Sequence, residues 1–188
     1  MKNFVEKIVA LPKWCGLCVV LIYAVTAAEY LSVINQLFMG PEIEYTNIHR
    51  FFMGFSYFSV IASSIAVWVV LSLLLHLTAL LLDGEQKFVT LLHVITLPFI
   101  IPAVCMFIAI LLLDDIDVGG GEDMVDMLQQ IDMLNIVTWI VNGAFVLFYA
   151  IIACGIHYLY NINWIRSFLS VIIPIVSIWG VAELFSLI

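Results

Sequence analysis

Three histidines stand at similar depths in the predicted membrane spans. His76, His93 and His157 each lie four to seven residues from the polar end of an apolar segment. At 1.5 Å per residue, their imidazoles lie about 6–10 Å inside the same membrane boundary, on three different helices. If these helices adjoin, the imidazoles can bind a transition metal or relay protons. The alternative is a separate interhelical hydrogen bond for each, which the absence of HxxxH or ExxxH spacing favours.

Two acidic residues stand inside other predicted spans. Glu29 lies in the first and Glu183 in the last, both towards the same side of the membrane. Because an ionisable group inside a span costs several kcal/mol, it is a candidate for function by default. The sequence leaves open a proton-coupled role and a polar contact within the bundle, and it favours the second.

The cysteines form one motif that resembles a redox centre. Residues 14–18 read WCGLC, similar to the W-C-G-x-C sequence of thioredoxins. That chemistry needs the cysteine pair after a strand of a βαβ unit, and the sequence offers no such strand. We therefore predict that Cys15 and Cys18 are reduced thiols. Cys105 and Cys154 are predicted to be small residues buried within the spans.

Other motifs for catalysis or for bound ions are weak or absent. The segment 115–126 begins like a calcium loop but lacks an oxygen ligand at its fifth position and Glu at its twelfth. The sequence contains no P-loop, nucleophile elbow or dinucleotide fingerprint. We therefore predict no catalytic residue, no cofactor and no metal, and a protein that is not an enzyme.

The amino-acid composition predicts the kind of structural element that carries these residues. Of the 188 residues, 65% are hydrophobic and 11% are charged, whereas soluble proteins are nearer half apolar and a quarter charged. The apolar surplus must face lipid. A net charge of -8 leaves no basic patch for phosphates, so the composition excludes a nucleic-acid binder.

Five apolar stretches are long enough to cross the hydrocarbon core as helices, which takes about 20 residues each. We predict an all-α integral membrane protein with five transmembrane helices in a single domain, residues 1–188. Residues 1–12 are expected to form either a short amphipathic helix on the membrane surface or a frayed tail before the first span. Residues 124–134 are expected to form a short amphipathic helix after a glycine hinge. The predicted spans are residues 14–38, 55–82, 88–113, 134–160 and 164–188.

The distribution of basic residues predicts the orientation. Five of the six Lys and Arg residues flank one side of the spans, and only Arg50 falls on the other. By the positive-inside rule, the N-terminus is cytoplasmic and the C-terminus lies outside the cell (inner) membrane. An alternative is a cleavable signal peptide ending at residues 26–28, but the apolar run continues past Glu29 and favours a retained helix.

Proline and small residues predict local features of the spans. Pro98 and Pro102 should kink the third helix, and Pro174 the fifth, because each removes a backbone donor. Small residues at helical spacing predict packing positions between helices. These positions are Ser59, Ala62, Ser63 and Ala66 in the second span, and Ala150, Ala153 and Cys154 in the fourth.

The order of these segments resembles the Yip (Ypt/Rab-interacting protein) domain family, in particular its prokaryotic branch. The resemblance covers most of the chain: the lead-in through Trp14, the short loop 83–88 with Gly84, Lys87 and Phe88, a helix reaching Pro98, and the loop 160–164 between the last spans. It implies a five-span fold and a role in organising membranes or partners. The Asp-Leu-Tyr-Gly-Pro motif of eukaryotic relatives is absent, so Rab-type GTPase binding is not expected.

Three functions remain open from the sequence. The leading hypothesis is a non-enzymatic scaffold whose partners are the bilayer and a membrane protein or a second copy. The alternative is a small transporter or channel for protons, ions or small solutes, using the acidic residues, the histidines and the bent third helix. A membrane metalloenzyme built on the histidines is the weakest of the three.

Overall fold

The computed structural model describes residues 10–39, 47–114 and 124–186, together with Lys7, and no strand occurs in that part of the chain. The predicted all-α class is confirmed. A 3-10 turn, Leu97–Phe99, joins the third and fourth helices. The helices are α1 (Lys13–Met39), α2 (Asn47–Leu81), α3 (Phe88–Thr96), α4 (Ile100–Asp114), α5 (Met124–Tyr160) and α6 (Trp164–Ser186).

Within the described residues, four stretches are long and apolar enough to cross a membrane, with α3 and α4 counted as one. In α6, the apolar part found among the described residues is shorter, Trp164–Gly180. The predicted fifth span therefore stays a prediction, as does the amphipathic lead-in, most of which lies outside the described residues. The four stretches are Trp14–Leu37, Phe51–Leu81, Phe88–Asp114 and Asp132–Tyr160.

Two helices begin earlier than predicted. Helix α2 begins at Asn47 and has 35 residues, and α5 begins at Met124 and has 37, about 52 and 56 Å at 1.5 Å per residue. The expectation of a separate amphipathic helix over residues 124–134 is wrong, because the helix continues into the span. No Gly or Pro interrupts residues 124–134, so nothing in the backbone stops the helix there. The predicted glycine hinge lies outside the described residues.

The prolines occupy different positions in their helices. Pro98 lies in the 3-10 turn that interrupts the third span. Because proline has no backbone N–H, it cannot donate an α-helical hydrogen bond at this position. Pro102 lies in the first turn of α4, where backbone N–H groups have no intrahelical partner in any case. Pro174 lies inside α6, which continues through it.

The described helices contribute to two compact units, each built from several segments. We call them the loop unit, which contains the connections after α2 and α5, and the cleft unit, which contains the open cleft described below. The loop unit comprises Met1–Val19, Ala66–Phe99 and Leu147–Ile188, and the cleft unit comprises Val20–Ile65 and Ile100–Val146.

The loop unit is held by close packing and by hydrogen bonds between helices. Gly16 lies against Thr96, and an added Cβ would stand 2.5 Å from the Thr96 Oγ1. The Thr78 hydroxyl donates to the Ser170 carbonyl oxygen at 2.8 Å, and the Ser167 hydroxyl donates to the Ala153 carbonyl. Such contacts carry helix association in lipid, where burial of apolar surface drives little.

The cleft unit has a core of small and medium side chains. Ala27 and Ala109 are buried beside Met106, Leu113 and Val137. Alanines allow helix backbones to approach closely, which increases dispersion contacts where lipid removes the hydrophobic driving force. The predicted packing positions of the second span do not join this core: Ser59, Ala62, Ser63 and Ala66 are exposed. That expectation is wrong for α2, whereas in the loop unit Ala153 is fully buried, as predicted.

Candidate functional site

The loop unit contains a polar cluster that begins at the end of α2. Asp83 has a φ of 67°, a left-handed conformation, and the Gly84 N–H donates to the Ala79 carbonyl at 3.0 Å. The Asp83 N–H donates to the Leu80 carbonyl at 3.2 Å. These two bonds form a Schellman cap with Asp in the position that usually holds glycine. The cap fixes where the chain leaves α2.

Two side chains join the connection after α2 to the connection after α5. Arg166 forms an ion pair with Asp83 at 2.8 Å and also reaches the Leu82 carbonyl at 3.4 Å. The Gln86 amide donates to the Leu159 carbonyl at 3.2 Å. The positive guanidinium at the end of α2 also interacts favourably with the negative, C-terminal end of the helix dipole. These contacts link the connection after α2 to the end of α5 and the beginning of α6.

His76 and Tyr160 form the buried centre of this cluster. The His76 Nδ1 and the Tyr160 hydroxyl share a hydrogen bond, and the His76 ring lies 5.5 Å from that of Phe88. Gly84 lies directly on Tyr160, because a Cβ there would stand 2.6 Å from the Tyr160 Cδ1. Both polar side chains thus satisfy each other inside the unit.

Of the other two predicted histidines, His157 makes side-chain contacts of its own, and a backbone bond is described for His93. The His157 Nδ1–H donates to the Ile162 carbonyl at 2.6 Å, and its ring stacks on Trp164 with centroids 4.0 Å apart. The His93 carbonyl accepts from the Thr96 hydroxyl at 2.5 Å. Among the described residues, no three His, Cys, Asp or Glu side chains gather to hold a metal ion. The structure therefore favours the alternative in which His76 and His157 make separate contacts.

The cleft unit contains an open cleft between α1 and α2 with several polar lining groups. Its inner hollow has room for about one water-sized group, about 10 Å³. Its outer hollow is larger, about 480 Å³. Lining residues are Ala28, Leu31, Ser32, Asn35, Met53, Ser56, Tyr57 and Val60 for the inner hollow, and Asn35, Phe52, Met53, Phe55, Ser56, Ser59 and Val60 for the outer.

The polar groups of the cleft are largely unused. Elsewhere in the helices, hydroxyls donate to the carbonyl four residues earlier, as Ser64, Ser72 and Thr138 do. Within the described part of the chain, no hydrogen bond engages the side chains of Ser56, Ser59 or Asn35. Hydroxyl and amide groups that both donate and accept are thus available to a bound molecule.

Glu29 stands beside this cleft and not in its lining. Tyr57 lines the inner hollow and lies near Glu29. The Glu29 side chain is exposed. Its carboxyl group therefore lies beside the cleft, next to lining groups that are neutral. Glu183 lies near the end of α6 with an exposed side chain, in the loop unit.

The four cysteines are free thiols. Cys15 is half-buried and Cys18 is exposed in the first two turns of α1. The described residues around them are helical, without the strand that the thioredoxin arrangement needs.

Sequence reasoning selected Glu29 but missed its surroundings. Ser32 and Gln36 follow Glu29 at positions i+3 and i+7 of α1, so the three share one helix face. That spacing was available in the sequence as a polar stripe inside an apolar span. The position of this stripe opposite Ser56 and Tyr57 of α2 could not be predicted, because no pattern in the sequence specifies which faces of the two helices meet.

Comparison with protein-family models, with curated proteins and with solved structures yields no match to this chain. The site must therefore be interpreted from its own chemistry. The Yip resemblance stays a prediction.

Proposed function

We propose that this chain is a non-enzymatic, membrane-organising scaffold that binds a ligand or partner at the α1–α2 cleft. The observation that carries the proposal is the unused polar lining of the cleft, at Asn35, Ser56 and Ser59. The helices around it are apolar and long enough to cross a membrane. This is the role that the Yip resemblance implies.

The energetic argument concerns hydrogen bonds in apolar surroundings. Each hydrogen bond that forms contributes about 0.5–1.5 kcal/mol net. Several unpaired polar groups in one cleft favour any molecule that supplies partners for them together. In lipid, polar side chains also hold helices to each other. A binding surface accounts for the cleft without invoking catalysis.

The proposal includes the setting of the protein. We place it in the cell (inner) membrane as a multi-pass protein with a cytoplasmic N-terminus, on the distribution of its basic residues. Its partners are then the bilayer and a membrane protein or a second copy of the chain. Cysteine labelling at residue 120 from outside intact cells tests the orientation, and labelling there only after permeabilisation would reverse it.

The test of the scaffold uses a photoreactive residue in native membranes. Placed at Ser59, it should give a defined adduct with one protein or lipid, and the adduct should disappear when Asn35→Leu is added. The matched control is the same residue at Phe107, which is exposed in the cleft unit but lies outside the cleft. Equal labelling from both positions would overturn the proposal.

A transporter or channel is the second candidate, and the exposed Glu29 side chain within the apolar stretch Trp14–Leu37 is the observation that favours it. A carboxyl group inside a span can take up and release a proton or hold a cation. Proteoliposomes should then show a flux that Glu29→Gln abolishes and Asp132→Asn leaves intact. The absence of flux in wild-type vesicles would remove this candidate and leave the scaffold.

A further inference from the structure

We propose that the α1–α2 cleft recognises a polyhydroxyl group, such as a hexose or glycerol unit, carried by a lipid headgroup or by a free sugar. The inference rests on the proposed function of the cleft as a binding site. It assigns the chemical class of the ligand from the hydrogen-bonding groups of the lining, the exposed rings beside them and the position of the cleft along its two helices.

The hydrogen-bonding groups of the lining are of the kind that both donates and accepts. Asn35 has an amide, and Ser56 and Ser59 have hydroxyls, all exposed and without a hydrogen bond in the described part of the chain. Ser32 accepts a bond from the Gln36 amide at 3.4 Å and keeps its own donor. A ligand hydroxyl also donates and accepts, so several hydroxyls on one group can pair with these side chains together. A ligand that only donates or only accepts leaves half of this capacity unused.

Exposed phenylalanine rings stand beside these polar groups. Phe52 and Phe55 border the outer hollow together with Asn35 and Ser56, and the two rings are 63% and 65% exposed. The C–H groups on the face of a sugar ring pack against the negative face of an aromatic ring, while the hydroxyls at its edge point to polar partners. The outer hollow, about 480 Å³, has the volume of a small-ligand site. A lining with aromatic and hydroxyl groups side by side thus matches both surfaces of one sugar unit.

The cleft lies near the ends of the two apolar stretches that form it. Asn35 stands two residues before the end of Trp14–Leu37, and Phe52 one residue after the beginning of Phe51–Leu81. At 1.5 Å per residue, both lie within about 3 Å of the ends of their stretches. The ends of stretches that cross a bilayer meet the headgroup region. A lipid with a sugar or glycerol headgroup therefore brings its hydroxyls to the level of the cleft, and a dissolved sugar reaches it from the water.

The experiment compares lipids that differ in their hydroxyls and not in their charge. The full-length protein is reconstituted in phosphatidylcholine vesicles with two pairs of spin-labelled lipids: glucosyl diacylglycerol against diacylglycerol, and phosphatidylglycerol against phosphatidylmethanol. Electron spin resonance then gives the motionally restricted fraction of each lipid. We expect the lipid with more hydroxyls to be preferred by about fivefold in each pair, the ratio that about one net hydrogen bond produces.

Matched double variants locate the preference in the cleft. Asn35→Leu with Ser59→Ala should reduce the preference to about equality, because both side chains border the outer hollow. The control is Asn142→Leu with Ser63→Ala, which removes an exposed amide and an exposed hydroxyl that lie outside the described lining. The control should keep the full preference. Circular dichroism of each variant checks that the helices remain folded.

A second pair of variants tests the aromatic contribution. Phe55→Leu keeps an apolar side chain and removes the ring, so it should lower the preference for glucosyl diacylglycerol by about twofold. Phe58→Leu makes the same change at a ring that is 70% exposed on the same helix and outside the described lining, and it should have no effect.

A further arm separates the two sources of the polyhydroxyl group. Saturation-transfer nuclear magnetic resonance measures the binding of soluble methyl glucoside to the same vesicles. Methyl glucoside that binds, and is lost in Asn35→Leu with Ser59→Ala, supports the site and assigns the free sugar as its source when no lipid is preferred. A lipid preference that the same double variant abolishes assigns the headgroup. A preference in one lipid pair alone supports the site and assigns the hexose or the glycerol unit.

Three results would overturn the inference. The first is equal restriction within both lipid pairs with no binding of methyl glucoside. The second is a preference that Asn35→Leu with Ser59→Ala leaves unchanged, and the third is a preference that the control double variant also abolishes. The photocrosslinking at Ser59 is read separately. A defined adduct there with no preference for hydroxyls would reject this inference and keep the proposed function.

Discussion

The polar cluster of the loop unit and the cleft of the cleft unit use their polar side chains in opposite ways. In the loop unit, His76 is bonded to Tyr160, Arg166 to Asp83, and Ser167 to a backbone carbonyl. In the cleft unit, Ser56 and Asn35 border open space and have no hydrogen-bonding partner among the described residues. The first arrangement stabilises the fold and leaves little for a ligand to bind. The second stabilises the fold less and leaves donors and acceptors for binding.

This difference indicates where to look for function in an apolar helical protein. Intramembrane histidines and acids draw attention because their chemistry is versatile, yet two of the three histidines are bonded or stacked within the loop unit. Hydroxyl and amide side chains draw less attention and line the open cleft instead. We therefore expect substitutions to destabilise the protein in the loop unit and to be tolerated in the cleft unit.

The largest effect is expected at a glycine of the loop unit. In Gly84→Ala, the new Cβ would stand 2.7 Å from the backbone oxygen of Ala79, which cannot move without breaking the cap of α2. We expect the free energy of unfolding to fall by about 3 kcal/mol. Unfolding in mixed micelles by sodium dodecyl sulfate, followed by circular dichroism, measures it. In the cleft unit, Gly54→Ala meets nothing within 4 Å and should be neutral or stabilising by up to about 1 kcal/mol. Similar losses of unfolding free energy in Gly84→Ala and Gly54→Ala would contradict the expected difference between the two units.

The next effect compares two tyrosines. Tyr160→Phe removes the hydrogen-bonding partner of the buried His76 and should lower the free energy of unfolding by about 2 kcal/mol. Tyr57→Phe removes a hydroxyl that lies near Glu29, an exposed side chain, and should cost less than about 1 kcal/mol. The same micelle titration measures both. Adding His76→Phe to Tyr160→Phe should recover part of the loss, and a strictly additive double variant would show that the two side chains are not coupled.

A smaller effect is expected for two serines. Ser167→Ala removes a buried bond from α6 to the Ala153 carbonyl and should cost about 1 kcal/mol. Ser56→Ala removes an exposed hydroxyl that is bonded to no described residue, and should change the free energy of unfolding by less than about 0.5 kcal/mol. Ser56→Ala should instead weaken capture at the cleft in the crosslinking assay. A destabilised Ser56→Ala protein would mean that the cleft serves the fold.

The smallest effect concerns the ion pair. Asp83→Asn keeps a residue that tolerates the left-handed backbone and removes only the charge facing Arg166. The two side chains are 77% and 44% exposed, so solvent screens their attraction and the cost should be about 0.5 kcal/mol, vanishing at high salt. Micelle titrations at low and high salt measure it. A loss that salt does not reduce would show that the pair acts through packing.

Much of the fold was predictable from the sequence. Apolar runs of sufficient length predict helices across a membrane, because only internally bonded backbone is stable in lipid. The same patterns placed the connections at 82–87 and 161–163 close to where the structure has them. The early starts of α2 and α5 were not predicted. Hydropathy marks where apolar residues begin, whereas the α-helical backbone extends past that point into the more polar residues 47–54 and 124–133.

The sequence by itself determined the helical class, the lipid-facing composition and the candidate acids and histidines, because these depend on residue type and local spacing. Tertiary structure decided which of those residues are engaged. His76 meets Tyr160 across 84 positions of the chain, and Tyr57 meets Glu29 on another helix. Helix rotation sets such pairs, and in lipid that rotation depends on the summed packing of many small side chains. No single spacing in the sequence encodes that sum.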